Sequence, residues 1–171
     1  MAVRKTSGMT VVPPTDPAAF EFFNEIGIID QLAGTIFERA MPQGLTRAQF
    51  TVLNHFVRLG HKERSPAQLA SAFQVTRPTM TSTLARMARD GLVVIRDDPA
   101  DGRAKLVSIT DKGRAAREAA IAAMAPLAPM LDAVIDPDEL AAMLPVLRRV
   151  RIALDAARDP VREPLTDTIN A

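Results

Sequence analysis

The side chains best suited to chemistry in this chain are suited to gripping an anion, not to breaking a bond. Thr76, Arg77, Thr79, Thr81, Ser82 and Arg86 follow one another closely, and no acid occurs from Thr76 until Asp90. Hydroxyls bond phosphate oxygens and base edges, and arginine offers paired N–H donors to guanine or phosphate. A little further on, Asp98, Asp101 and Arg103 stand in the pattern D-x-x-D-x-R. An arginine at a loop tip, held by a nearby carboxylate, suits a narrow minor groove, where negative potential concentrates. An ordinary surface turn with a chance Asp–Arg pair would show the same residues.

Other chemistries find little support. The chain has no cysteine, which excludes a disulfide framework, a thiol nucleophile, thiolate metal ligation and thiol-based redox sensing. Asp97, Asp98 and Asp101 are hard-cation ligands by type, but three carboxylates on a turn beside arginines read as structural, so no metal is expected. The two histidines, His55 and His61, lie apart from any acid at metal-ligand spacing. No phosphate-binding glycine loop, G-x-S-x-G or H-E-x-x-H is present, so neither an enzyme nor a cofactor is expected. The eight methionines read as core filler.

The elements that must carry these side chains follow from composition and punctuation. At 171 residues, 47% hydrophobic and 24% charged, the chain has the make-up of one folded domain with an appended element. It shows neither a membrane-length apolar run nor an apolar secretory core at its start, so a cytoplasmic protein away from membranes is expected. Net charge is zero over residues 1–60, +4 over 61–114 and −3 over 115–171. A basic middle within a neutral-to-acidic scaffold fits a nucleic-acid-binding segment, although a chance fluctuation of a few charges gives the same totals.

Asp16-Pro17 opens a long helix whose Phe20, Phe23, Ile26, Ala33, Ile36 and Phe37 suit burial on much of its circumference, and Pro42 and Gly44 end it. Thr46-Arg47-Ala48-Gln49 and Ser65-Pro66-Ala67-Gln68 are capping boxes, each opening a helix. Thr76-Arg77-Pro78 opens a fourth helix, which runs to Asp90 and stops at Gly91. Leu92–Ile95 is a β-branched run, Asp97–Gly102 is turn chemistry, and Lys105–Ile109 alternates with period 2, which predicts a hairpin. Thr110-Asp111 caps an alanine-rich helix that Pro126 and Pro129 should kink or break. Asp136-Pro137 starts a last helix with an apolar stripe at Leu140, Met143, Leu144, Leu147, Val150 and Leu154.

Three short helices followed at once by a hairpin is the order of a winged helix-turn-helix, so the expected class is mainly α (α+β). At 100° per residue Met80, Leu84 and Met87 of the fourth helix share one stripe and face the core. Pro78, Ser82, Ala85 and Arg89 then lie opposite, flanked by Thr79, Thr81 and Arg86. Solvated faces usually mix Glu with Lys, and the lack of acid here favours DNA.

The segment Val75–Arg114 resembles the recognition helix and wing of the MarR family of bacterial winged-helix regulators. Its most specific features are Asp98, Asp101 and Arg103, followed by L-V-x-I-T-x-x-G with Thr110 and Gly113. The likeness extends more loosely from Phe20 to about Ala157. It implies major-groove contacts from Thr76, Arg77, Thr79, Thr81, Ser82 and Arg86, a minor-groove contact from Arg103, and wing support from Asp98 and Asp101. It further implies a homodimer whose interface joins the first helix with the last two, acting on a palindromic double-stranded DNA operator, most simply as a repressor. Release by a small aromatic or anionic effector is implied too, with His55 and Arg58 as pocket candidates. The apolar stripe 140–154 supports a dimer independently, although packing within one chain would also use it. The expected layout is a flexible N-terminal arm (1–15), a dimerisation helix (16–44), the winged helix-turn-helix (45–114), C-terminal dimerisation helices (115–158) and a flexible tail (159–171). The rival reading is a winged-helix protein-interaction module without DNA binding.

Overall fold

The structure, a computed structural model, describes residues 16–158. The arm and tail expected at 1–15 and 159–171 lie outside the described residues. Two compact units divide the chain between Phe37 and Glu38. The first holds most of helix α1 (Ala18–Ala40). Sequence periodicity predicts burial for α1, yet Gly34 is its one buried residue, and Phe20, Phe23, Ile26, Ile28, Ile29 and Leu32 are 37–62% exposed. An apolar pattern records what a face avoids, not which surface covers it.

The second unit runs α2 (Arg47–Arg58), α3 (Pro66–Ala72), α4 (Arg77–Arg89), β1 (Val93–Asp97), β2 (Lys105–Ile109) and α5 (Asp111–Ala123). A single 3-10 turn (Ala125–Leu127), α6 (Ala128–Asp132) and α7 (Pro137–Arg158) follow. Both predicted capping boxes form. Thr46 Oγ1 accepts from the Gln49 N–H at 3.2 Å while Gln49 accepts from the Thr46 N–H at 2.9 Å, and Ser65 and Gln68 repeat the exchange. Gly60 (φ 63°) and Gly91 (φ 73°) take the left-handed conformation just past α2 and α4, which L side chains disfavour.

The core gathers Val52, Leu53 and Phe56 of α2, Leu69 and Ala70 of α3, and Met80, Leu84 and Met87 of α4. Leu92, Val93, Val107 and Ala120 close it from the hairpin and α5. Strands β1 and β2 pair antiparallel with Val93 opposite Ile109, Ile95 opposite Val107 and Asp97 opposite Lys105. Arg64 adds a one-residue third rung: its N–H donates to Val107 O at 3.0 Å and its carbonyl accepts from Val107 N–H at 2.8 Å. Nothing in the sequence pattern marks that rung.

Pro126 and Pro129 break the C-terminal helix into the 3-10 turn and α6, because neither ring nitrogen can continue the helical ladder. Asp136 starts α7 by accepting from the Asp138 N–H at 2.8 Å, and Glu139 accepts from the Asp136 N–H at 3.0 Å. Pro145 lies inside α7, at a position that the apolar stripe alone does not reveal. Among the described residues no single helix is long and apolar enough to cross a membrane.

Candidate nucleic-acid interface

Helix α4 is fixed at its start by its own cap and the turn from α3, and at its end by side chains from the start of α5. At its start, Thr76 Oγ1 accepts from the Thr79 N–H at 3.3 Å and lies 2.8 Å from Thr79 Oγ1. The preceding turn places Gln74 at φ 52°, and Val75 N–H donates to Ala70 O at 3.1 Å, which ties α4 to α3. At its end, Lys112 Nζ donates to Asp90 O at 2.7 Å, and Thr110 Oγ1 lies 2.7 Å from Gly91 O. The C-terminus of a helix favours such a cation.

Between these anchors the helix divides as the spacing predicts. Met80, Leu84 and Met87 are buried, and Thr83 joins them with its hydroxyl donating to Thr79 O at 3.0 Å. Thr83 was hidden from the pattern because a threonine can satisfy itself on its own helix. Thr76, Arg77, Pro78, Thr79, Thr81, Ser82, Ala85, Arg86 and Arg89 are all exposed. The outer face is therefore small, hydroxyl-bearing and cationic over three turns. Its chemistry matches a polyanion with readable edges.

The hairpin loop holds Arg103 by a different bond from the one its spacing suggests. Asp101 Oδ1 accepts from the Arg103 backbone N–H at 3.0 Å, and Asp98 Oδ1 from the Ala100 N–H at 2.9 Å. Both carboxylates thus shape the turn and leave the exposed guanidinium to solvent; no ion pair to Arg103 occurs among the described residues. Asp97 pairs with Lys105 across the hairpin. No group of three metal-binding side chains occurs among the described residues, and the loop carboxylates are used as turn acceptors.

The two histidines, distant from ligand partners in sequence, meet in space. The His55 ring centroid lies 5.3 Å from that of His61 and 5.1 Å from that of Phe73, edge-on to the latter. Arg64 Nη2 lies 2.8 Å from His61 ring nitrogens, a contact that needs a neutral ring. Burial, helped by His61, Arg58 and Arg64, lowers the His55 pKa to about 4 against an opposing pull from Asp155. Burial and the same two arginines also lower that of His61. Arg58 and His55 thus belong to one cationic, aromatic-walled cluster, to which His61, Arg64 and Phe73 are additions that only the fold supplies.

Glu63 and Arg96 form a two-bond fork, Arg96 Nε to Glu63 Oε1 at 2.8 Å and Nη2 to Oε2 at 2.6 Å. Hydrogen bonding from Arg96 holds the Glu63 carboxyl below its ordinary pKa and raises that of Arg96 in turn. These partners stand 33 residues apart, and neither residue type nor period connects them.

A tri-helical core, a hairpin wing and an outward polar α4 define a winged helix-turn-helix protein. A family model described as the MarR family matches residues 43–104. The chain is 37% identical over 94 residues to the transcriptional activatory protein BadR of Rhodopseudomonas palustris, an alignment spanning 54% of each chain. Among solved structures, a mutant MarR from E. coli complexed with operator DNA superposes with TM-score 0.62 at 25% identity, covering 77% of this chain and 94% of that one. BpsR of Bordetella bronchiseptica, solved in a study of how 6-hydroxynicotinic acid regulates its DNA binding, gives TM-score 0.62 at 26% identity over 77% and 98%. The chain is similar to the MarR family over residues 43–104 and shares the fold of the solved MarR structure. It spans about half the length of the curated relative it matches.

Proposed function

We propose that this protein is a sequence-specific, double-stranded-DNA-binding transcription regulator. It works as a homodimer on a palindromic operator and represses until a small aromatic or anionic effector releases it. The observation that carries the reading is α4: a helix whose apolar stripe is buried turns Thr79, Thr81, Ser82 and Arg86 outward with no acid among them. Such a face can enter a major groove, where Thr76 and Arg77 at its start meet phosphate and Ser82 and Arg86 meet base edges. Arg103, free at the tip of a braced loop, takes the minor groove alongside. The 16–44 and 115–158 segments serve dimerisation. The exposed apolar residues of α1, and Met143, Leu144, Leu147 and Leu154 of α7, support this, since a lone subunit would leave them in water. Two-fold symmetry would set the two α4 helices about 34–36 Å apart, one helical turn. His55 and Arg58 supply aromatic and cationic walls for the effector, which acts only by favouring the spacing that does not fit DNA.

Fluorescence-anisotropy titration against fragments of the native genome, across a salt series, tests this. The expected result is tight binding to a palindromic site that weakens steeply with salt. Absence of salt-sensitive binding to every fragment would replace this reading by the protein-interaction module. Sedimentation of the free protein as a single subunit would remove the dimer. In vitro transcription from the selected site, with and without aromatic carboxylates, gives the sign of regulation and the effector class.

A further inference from the structure

From the Glu63–Arg96 fork we infer that the segment joining α2 to α3 braces the wing, setting the angle at which Arg103 is presented. The inference rests on the DNA-binding reading for its purpose, but not for its geometry. A two-stranded ribbon has little stiffness of its own. At the wing root, Val93 and Val107 are buried on the core face, and the Arg64–Val107 rung pins the free edge of β2. Those ties end at Val107, whose partner is Ile95.

Arg96 lies one residue nearer the tip, opposite Leu106, and residues alternate faces along a strand, so Arg96 stands on the face away from the core. From there it passes over β2 to Glu63, the neighbour of Arg64, and closes a second tie at a different height on the outer face. A rung in the plane of the sheet and a second tie across its outer face together resist both hinge bending and twist, which one rung alone cannot. The fork also consumes both oxygens of Glu63 and two donors of Arg96, so this wing arginine is a positioning residue and not a phosphate contact. Its third nitrogen, Nη1, donates to Asp97 O at 3.2 Å, within its own strand.

Hydrogen exchange by mass spectrometry on the full-length, DNA-free protein tests the brace, using Glu63→Gln and the swap Glu63→Arg with Arg96→Glu. In Glu63→Gln the loop amides of residues 97–104 should exchange about two- to fivefold faster, with α4 amides unchanged. The swap should restore most of the protection. Operator affinity should fall in Glu63→Gln while its salt slope stays that of the wild type, because no phosphate contact is lost. Unchanged loop exchange overturns the brace, as does acceleration spread equally through α2 and α4. Tighter binding with a salt slope steeper by about one would also overturn it, since Glu63 would then merely neutralise a DNA-contacting Arg96. If the wild type bound no duplex at all, the proposed function would fail, while the exchange result would still judge the brace.

Discussion

Gly113→Ala tests whether the wing is locked to the body through the start of α5. An ideal Cβ at Gly113 would sit 2.2 Å from Leu92 O, 3.0 Å from Ile109 Cγ1 and 3.1 Å from Leu53 Cδ2. Carbon and carbonyl oxygen rest at about 3.3 Å, so the Leu92 carbonyl or the helix must move by roughly 1 Å. That carbonyl accepts from the Thr110 N–H at 3.2 Å and lies 3.1 Å from the Thr110 hydroxyl. Thr110 Oγ1 in turn accepts from the Gly113 N–H at 3.0 Å. Loss of two such bonds costs about 2 kcal/mol and overpacking a further ~1–3 kcal/mol, against a gain of up to ~1 kcal/mol from replacing a helical glycine by alanine. The net expectation is a loss of about 2–4 kcal/mol, read by urea denaturation followed by circular dichroism. Because Leu92 precedes β1 and Thr110 follows β2, the surviving folded protein should also bind operator more weakly. Intrinsic helix propensity alone predicts the opposite sign. An alanine variant as stable as the wild type, or more so, would refute the steric lock.

Arg103→Ala should weaken operator binding and lower the salt slope by about one if the guanidinium meets phosphate; weaker binding with an unchanged slope would assign it to a base edge. Ser82→Ala or Arg86→Ala should each cost about 1–3 kcal/mol on the operator and less on random duplex, by anisotropy; loss confined to nonspecific DNA would remove both from base reading. His55, at about 4 in the fold and near 6.5 when unfolded, binds its proton more readily in the unfolded chain. Stability should therefore be full above pH 6.5 and fall as pH drops from 6.5 towards 4. The loss is about 1–2 kcal/mol once the partly exposed ring's screening is allowed for, and His55→Phe should flatten it in denaturation curves taken across that window.

Whatever is decided within one turn of chain can be read from the residues alone. Thr46, Ser65, Thr76 and Thr110 cap their helices by bonding a group three residues on, and glycines at 60 and 91 release the chain where a left-handed residue is needed. The buried stripe of α4 and the strands of the hairpin follow from period alone. Most of the candidate interface was legible for the same reason: it lies on one helix and one loop.

Tertiary structure decided what depends on chain closure over long separations. His55 meets Phe73, Arg64 pairs with Val107, and Glu63 grips Arg96 only because the core of α2, α3 and α4 brings their segments together. Side-chain type does not encode such partners, since any exposed Glu could pair with any exposed Arg. The need for glycine at 113 is hidden for the same reason: with no left-handed backbone at that position, it is set by a carbonyl twenty-one residues earlier in the chain.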